Sequence, residues 1–163
     1  MRHLIPSLVM VVLFAACQQG AKTPEQPAVP AQEAAPQPSA SLPSIPMDVL
    51  KNLWDNCDNV DYVFYNLPIS MNLNNKPSIQ NALSHIASDP APLQPQCKAI
   101  GRIFYMIKGE NVQMADIYFT SGCTYFVFLV DDKPAYSNFM TPEGVQYLNN
   151  IFSQSGITPE QIR

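Results

Sequence analysis

The chain has 163 residues and a formal net charge of −4, enough for one ordinary domain or a domain plus a tail. Only 9 Lys and Arg are present against 13 Asp and Glu, so a nucleic-acid role is not expected, because phosphate binding needs a basic face. Charged residues make up 13% of the chain, about half the usual share, so the surface leans on Asn, Gln, Ser and Tyr more than on ion pairs.

Residues 1–16, MRHLIPSLVMVVLFAA, read as a secretory signal peptide. Arg2 supplies a short positive region, and Leu4 to Phe14 form an apolar run too short to span a bilayer as a helix. Leu13, Phe14, Ala15, Ala16 and Cys17 then resemble the lipobox of bacterial lipoproteins, with Phe14 standing where that class usually has Leu. The resemblance implies cleavage before Cys17 and linkage of its thiol to diacylglycerol, so Cys17 is the expected lipidation site and membrane lipid the expected partner of the anchor. Each buried CH2 contributes about 0.8 kcal/mol, and the two or three acyl chains of such an anchor hold stably where one does not. Gln18, not Asp, follows the cysteine. By the same resemblance this favours the outer membrane, and with no acidic run after Cys17 the chain is expected to face the periplasm.

Residues 17–43 form the expected tether. They hold no aromatic residue, and Pro recurs at 24, 27, 30, 36, 38 and 43 among Ala, Gln and Glu. Such a segment cannot bury enough apolar surface to offset its ordering entropy, so a disordered or extended spacer is expected, at roughly 3.1 Å per residue where polyproline II forms.

A single globular domain is expected over 44–163. Ile45, Val49, Leu53 and Trp54 fall at helical spacing, with Ser44 as the cap and Pro46 in the first turn. VDYVFYNL (60–67) reads as a strand covered on both faces, and PISMNLNNKP as a loop. Ile79, Ala82, Leu83 and Ile86 make the stripe of a second short helix. A proline-rich loop leads to a meander over 99–138, with turns at GEN, TSG and DDKP, and Pro134 marks its last strand as an edge. Thr141 as N-cap, Pro142 behind it and Gly156 as the stop delimit a last helix burying Val145, Leu148, Ile151 and Phe152, before a final turn at TPEQIR. The fold expected is α+β: a four- to five-stranded, mostly antiparallel sheet with three short helices packed on it.

Cys57, Cys97 and Cys123 remain for the domain, so one thiol is left over from any disulfide. A parallel crossover through the second helix places all three at one end of the sheet. Adjacent strands lie about 4.8 Å apart and strands one removed nearly 10 Å, so Cys57–Cys97 is the first pairing expected. Cys97–Cys123 is the alternative, if PQCKAIG curls over the sheet end. The chain holds no CxxC motif, P-loop, dinucleotide glycine fingerprint, HExxH or GxSxG, and neither a metal nor a cofactor is expected. His85, the histidine beyond the signal peptide, falls off the apolar stripe and is expected to face solvent.

Asp61, Arg102 and Asp116 are charges within apolar strands, and where the first hairpin pairs Arg102 opposite Asp116 a cross-strand ion pair is expected. The other reading of these positions is the polar feature of a ligand groove, with Tyr118 and Tyr125 offering flat faces with polar tips. The runs GCTYFVF (122–128) and KPAYSNFMTPEG (133–144) in this layout resemble small uncharacterised lipoproteins of Gram-negative bacteria, the Bacteroidota especially, a resemblance that implies no activity. The function expected is a membrane-anchored, periplasm-facing lipoprotein whose small non-catalytic domain binds an envelope protein or a small ligand. The rival is a thiol-dependent redox or metal-handling envelope factor built on Cys57, Cys97 and Cys123.

Overall fold

A computed structural model describes residues 40–162; the signal peptide, Cys17 and the tether as far as residue 39 lie outside the described residues. The elements run β1 (Ala40–Ser41), α1 (Met47–Asn56), β2 (Asn59–Phe64), β3 (Ser70–Leu73), α2 (Lys76–Leu83), β4 (Pro92–Leu93), β5 (Ala99–Ile107), β6 (Glu110–Thr120), β7 (Cys123–Val130), β8 (Lys133–Phe139) and α3 (Pro142–Gln154). A 3-10 turn, Pro159–Ile162, follows.

Six strands form one open sheet in the order β3-β2-β5-β6-β7-β8, every neighbouring pair antiparallel. β1 and β4 pair separately as a two-residue ribbon. The α+β class, the three helices and the meander match the sequence expectation, but six strands stand where four to five were expected. The difference is β3, read as a loop for its Asn and Pro content. Its residues alternate: Met71 and Leu73 are half-buried on the side of Tyr62 and Val60, while Ser70 and Asn72 are exposed. Period-2 burial outweighs poor strand propensity here.

That extra hairpin also overturns the expected parallel crossover. β3 returns the chain to the end of the sheet where β2 began, and α2 then carries it back to the other end. β5 consequently runs antiparallel to β2, with Asn59 opposite Met106 and Phe64 opposite Gly101. Turns are tight: Lys108 and Gly109 have φ of 55° and 81°, and Asp131 and Asp132 have 51° and 60°, the paired positive values of a type I′ hairpin. Asp58 steadies the first by accepting from the Lys108 N–H at 2.7 Å.

One sheet face carries the main core. Val60, Tyr62, Phe64, Ile103, Tyr105, Ala115, Ile117, Phe119, Phe126 and Phe128 share it by register and pack against Leu53 of α1, Ile79, Ala82 and Leu83 of α2, and Leu148 and Phe152 of α3. Phe152 sits edge-on to both Phe64 and Phe119, at 5.2 and 5.6 Å between centroids. The ends of α3 fall where expected: Thr141 caps it by accepting from the Gly144 N–H at 3.2 Å, and Pro142 follows. Asn75 caps α2 in the same way through Ser78 N–H, at 3.0 Å.

Three local expectations fail. Ser44 does not cap α1; Pro46 holds that place without a side-chain bond, and the Ser44 hydroxyl donates to the Ser88 carbonyl at 2.8 Å. Trp54 does not join the buried stripe: it is 42% exposed, turned one helical step past Leu53. β2 is covered on one face only, with Val63 44% exposed on the other.

Candidate functional site

The second sheet face carries no helix, and it is here that the sequence-predicted site residues meet. Alternation puts Asp61, Val63, Arg102, Phe104, Met114, Asp116, Tyr118, Tyr125 and Val127 on it, in cross-strand rows: Asp61–Phe104–Met114 and Val63–Arg102–Asp116–Val127. Phe104 and Met114 are half-buried, and Val63 is exposed.

The expected ion pair is present at its centre. Arg102 Nε donates to Asp116 Oδ1 at 2.7 Å and Nη2 to Oδ2 at 3.2 Å, a bidentate fork with both side chains mostly covered. The bonds from Asp116 raise the Arg102 pKa, so the guanidinium stays charged. Tyr65 Oη donates to the same Oδ1 at 3.1 Å, and burial followed by the neighbouring carboxylate pushes its phenol above the ordinary value. Beside them Asn72 Nδ2 donates to Asp61 Oδ1 at 2.5 Å and to Asn59 Oδ1 at 3.0 Å. Tyr65 is a site residue that the sequence reading passed over. The signal was available: it continues the alternation Asp61, Val63, Tyr65 two residues at a time.

Tyr118 and Tyr125 stack at 4.6 Å and 15°, but they are not equally open. Tyr118 is half-buried beside Asp116, whereas Tyr125 is 2% exposed and its hydroxyl accepts from the Gln94 N–H at 3.5 Å. Burial raises both phenols above their ordinary value, with Tyr125 adding to the effect on Tyr118. What covers Tyr125 is a small second core of Ala91, Cys97, Cys123 and Val127, over which Leu42 and Leu93 pack. This end of the face therefore lies under the β1–β4 ribbon, and the Arg102 end is open.

Cys97 and Cys123 form the disulfide, with Cα atoms 5.8 Å apart, so the alternative pairing holds and Cys57–Cys97 does not. Cys97 precedes β5 and curls across the sheet end to reach β7. Cys57 precedes β2, which begins beside Met106 at the far end of β5, opposite the disulfide. It is buried, its thiol donates to the Asn59 carbonyl at 3.3 Å, and burial pushes its pKa up. The three sulfurs do not share an edge. Among the described residues no group of three or more His, Cys, Asp or Glu is placed to hold a metal.

His85 is also not where the helix wheel puts it. α2 ends at Leu83, so His85 leaves the helical path and turns inward, 5% exposed, its ring tilted against that of Tyr147 at 4.8 Å between centroids. Gly144 of α3 lies on it so closely that an added Cβ would stand 2.7 Å from the His85 Cβ. Desolvation lowers the imidazole pKa, opposed by the Glu143 charge.

Elsewhere the exposed side of α1 offers an apolar groove of about 340 Å³ lined by Met47, Leu50, Trp54 and Leu83. No helix among the described residues is long and apolar enough to cross a membrane. Compared with known proteins, the chain matches no family model, no curated protein and no solved structure.

Proposed function

We propose that this is a lipid-anchored, periplasm-facing lipoprotein whose domain acts by binding rather than by catalysis, with the open sheet face as its contact surface. The observation that carries the binding reading is that face. Helices cover one side of the sheet, whereas on the other Val63 and Tyr65 are 44% and 49% exposed around the ordered Tyr65–Asp116–Arg102 network. An uncovered sheet face on which exposed side chains surround a fixed polar network is an arrangement that orients a partner. For the anchor, the support is the lipobox-like run Leu13 to Cys17 and the proline-rich spacer behind it. The outer membrane is the favoured location on the strength of Gln18.

The rival thiol reading has less behind it. Its three cysteines lie at two ends of the sheet, and the unpaired one among the described residues is buried with a raised pKa, which leaves little thiolate to react.

Two measurements test the proposal. Cys17→Ala should abolish palmitate labelling and release the protein from membranes; persistent labelling refutes the anchor. A photo-crosslinking residue placed at Tyr65 should give a discrete adduct in cells, and the same probe at Asn149, on α3, should not. Equal patterns from the two positions refute the open face as the contact surface.

A further inference from the structure

Residues 40–45 lie on the domain as a ligand would. Ala40 and Ser41 pair antiparallel with Leu93 and Pro92, and Leu42 packs on the cluster of Ala91, Tyr125 and Val127. The Pro43 carbonyl accepts from the Ser137 N–H at 2.9 Å, and the Ile45 N–H donates to Asn138 Oδ1 at 2.9 Å.

The receiving groups are built into the fold. Ser137 and Asn138 are 0% and 1% exposed, polar side chains at positions on β8 where an edge strand is ordinarily wet. Loop 87–91 fixes both, the Ser137 hydroxyl donating to the Ala91 carbonyl at 2.6 Å and Asn138 Nδ2 to the Ala87 carbonyl at 2.9 Å. That leaves the Ser137 N–H and Asn138 Oδ1 aimed at the strap. Beyond that loop and β4, the disulfide ties Cys97 to the start of β7. Backbone pairing along an edge, with a pocket for an alternate side chain, is how a sheet takes up an extended peptide.

The two ends of the strap differ. Ile45 belongs to the main core at 5% exposure, so it is the fixed end. Ser41 and Pro43 are exposed, Leu42 is half-buried, and β1 is only two residues long, so the leading end is held by few contacts.

We propose that the groove formed by β4, Ser137 and the Tyr125–Val127 cluster is a site for an extended, uncharged peptide bearing a leucine-type side chain, occupied in cis by residues 40–43. A partner's extended segment displaces them. The inference rests on the domain being a binding module and narrows its partner to a polypeptide, as against a glycan or small molecule.

The test uses a fluorescein-labelled peptide of residues 38–45, PSASLPSI, titrated by anisotropy into the full-length chain in detergent. Leu42→Asp in the protein empties the groove, so this variant should bind the peptide saturably. The wild-type chain should bind at least tenfold more weakly, because its own strap competes. A peptide with Asp in place of its leucine should not bind either. No saturable binding to folded Leu42→Asp, or equal binding to wild type, overturns the proposal. Leu42→Ser serves as a milder variant. If both variants unfold, the strap is core rather than occupant, and the proposal fails. A failed titration alongside a retained Tyr65 crosslink would reject the peptide groove and leave the open face standing.

Discussion

Replacing Cys97 and Cys123 together by alanine removes the covalent tie between the loop before β5 and the start of β7. The bond closes a loop spanning 26 residues, and the chain-entropy relation for a loop of that size gives about 3.5 kcal/mol of stabilisation at 25 °C. For a domain of this length, roughly 3–5 °C is lost per kcal/mol, so the melting temperature should fall by about 10–18 °C. Urea unfolding followed by far-ultraviolet circular dichroism measures the global loss directly. Amide exchange measures its distribution. The tie holds loop 91–97 on the second face, so the Ala91 amide, which donates to the Ser137 carbonyl, and the Ser137 amide, which donates to the Pro43 carbonyl of the strap lying over that loop, should lose more protection than the Ile103 and Ala115 amides at the sheet centre. A global change below about 1 kcal/mol would show that the loop is already ordered in the unfolded chain and would refute the entropic argument. Uniform loss of protection would refute the assignment of the bond as the clamp of the second face.

Other perturbations follow from the packing. Gly144→Ala drives a Cβ to 2.7 Å from the His85 Cβ and 2.8 Å from Met140 Cγ, so overpacking should cost about 1–3 kcal/mol in urea unfolding. Met140→Ala in the same chain removes the Cγ at 2.8 Å and should recover part of it. His85 itself makes the domain acid-sensitive. Its folded pKa is lowered by desolvation, so the unfolded chain takes up the proton first. Stability is therefore complete above the ordinary value of 6.5 and declines as pH falls through it, a decline that His85→Gln should flatten. For the Arg102–Asp116 pair, a double-mutant cycle with alanine at each position should return a coupling of about 0.2–1 kcal/mol, diminishing in high salt. Zero coupling would mean that the fork adds order without stability.

Where a feature depended on neighbours in sequence, the residues alone determined it. Thr141, Pro142 and the stop at Gly156 delimit α3 because capping is decided within one turn of the helix. Arg102 and Asp116 were legible as charges on facing strands, but their pairing also takes the register shift between Tyr105 and Met106: carried straight on from Ile107–Glu110, the hairpin at 108–109 would set Arg102 opposite Ala115. Half of the candidate site was thus readable: Arg102, Asp116 and Tyr118 meet on the open face, and Tyr65 was within reach of the same alternation. Tyr125 shares that face but is lost beneath a ribbon whose partners are more than fifty residues apart in sequence. Tertiary structure decided the rest. One four-residue strand, β3, reverses the direction of β5, and with it decides which cysteines can meet. His85 is buried because α2 stops at Leu83 and α3 closes over it. Ser137 and Asn138 look like ordinary edge residues until loop 87–91 and Ile45, the latter 93 positions from Asn138, supply their hydrogen bonds. Local pattern fixes the period and the ends of each element, because those energies come from the nearest few residues. Burial and pairing across long separations come from where the chain returns in space, and a single added strand is enough to change that.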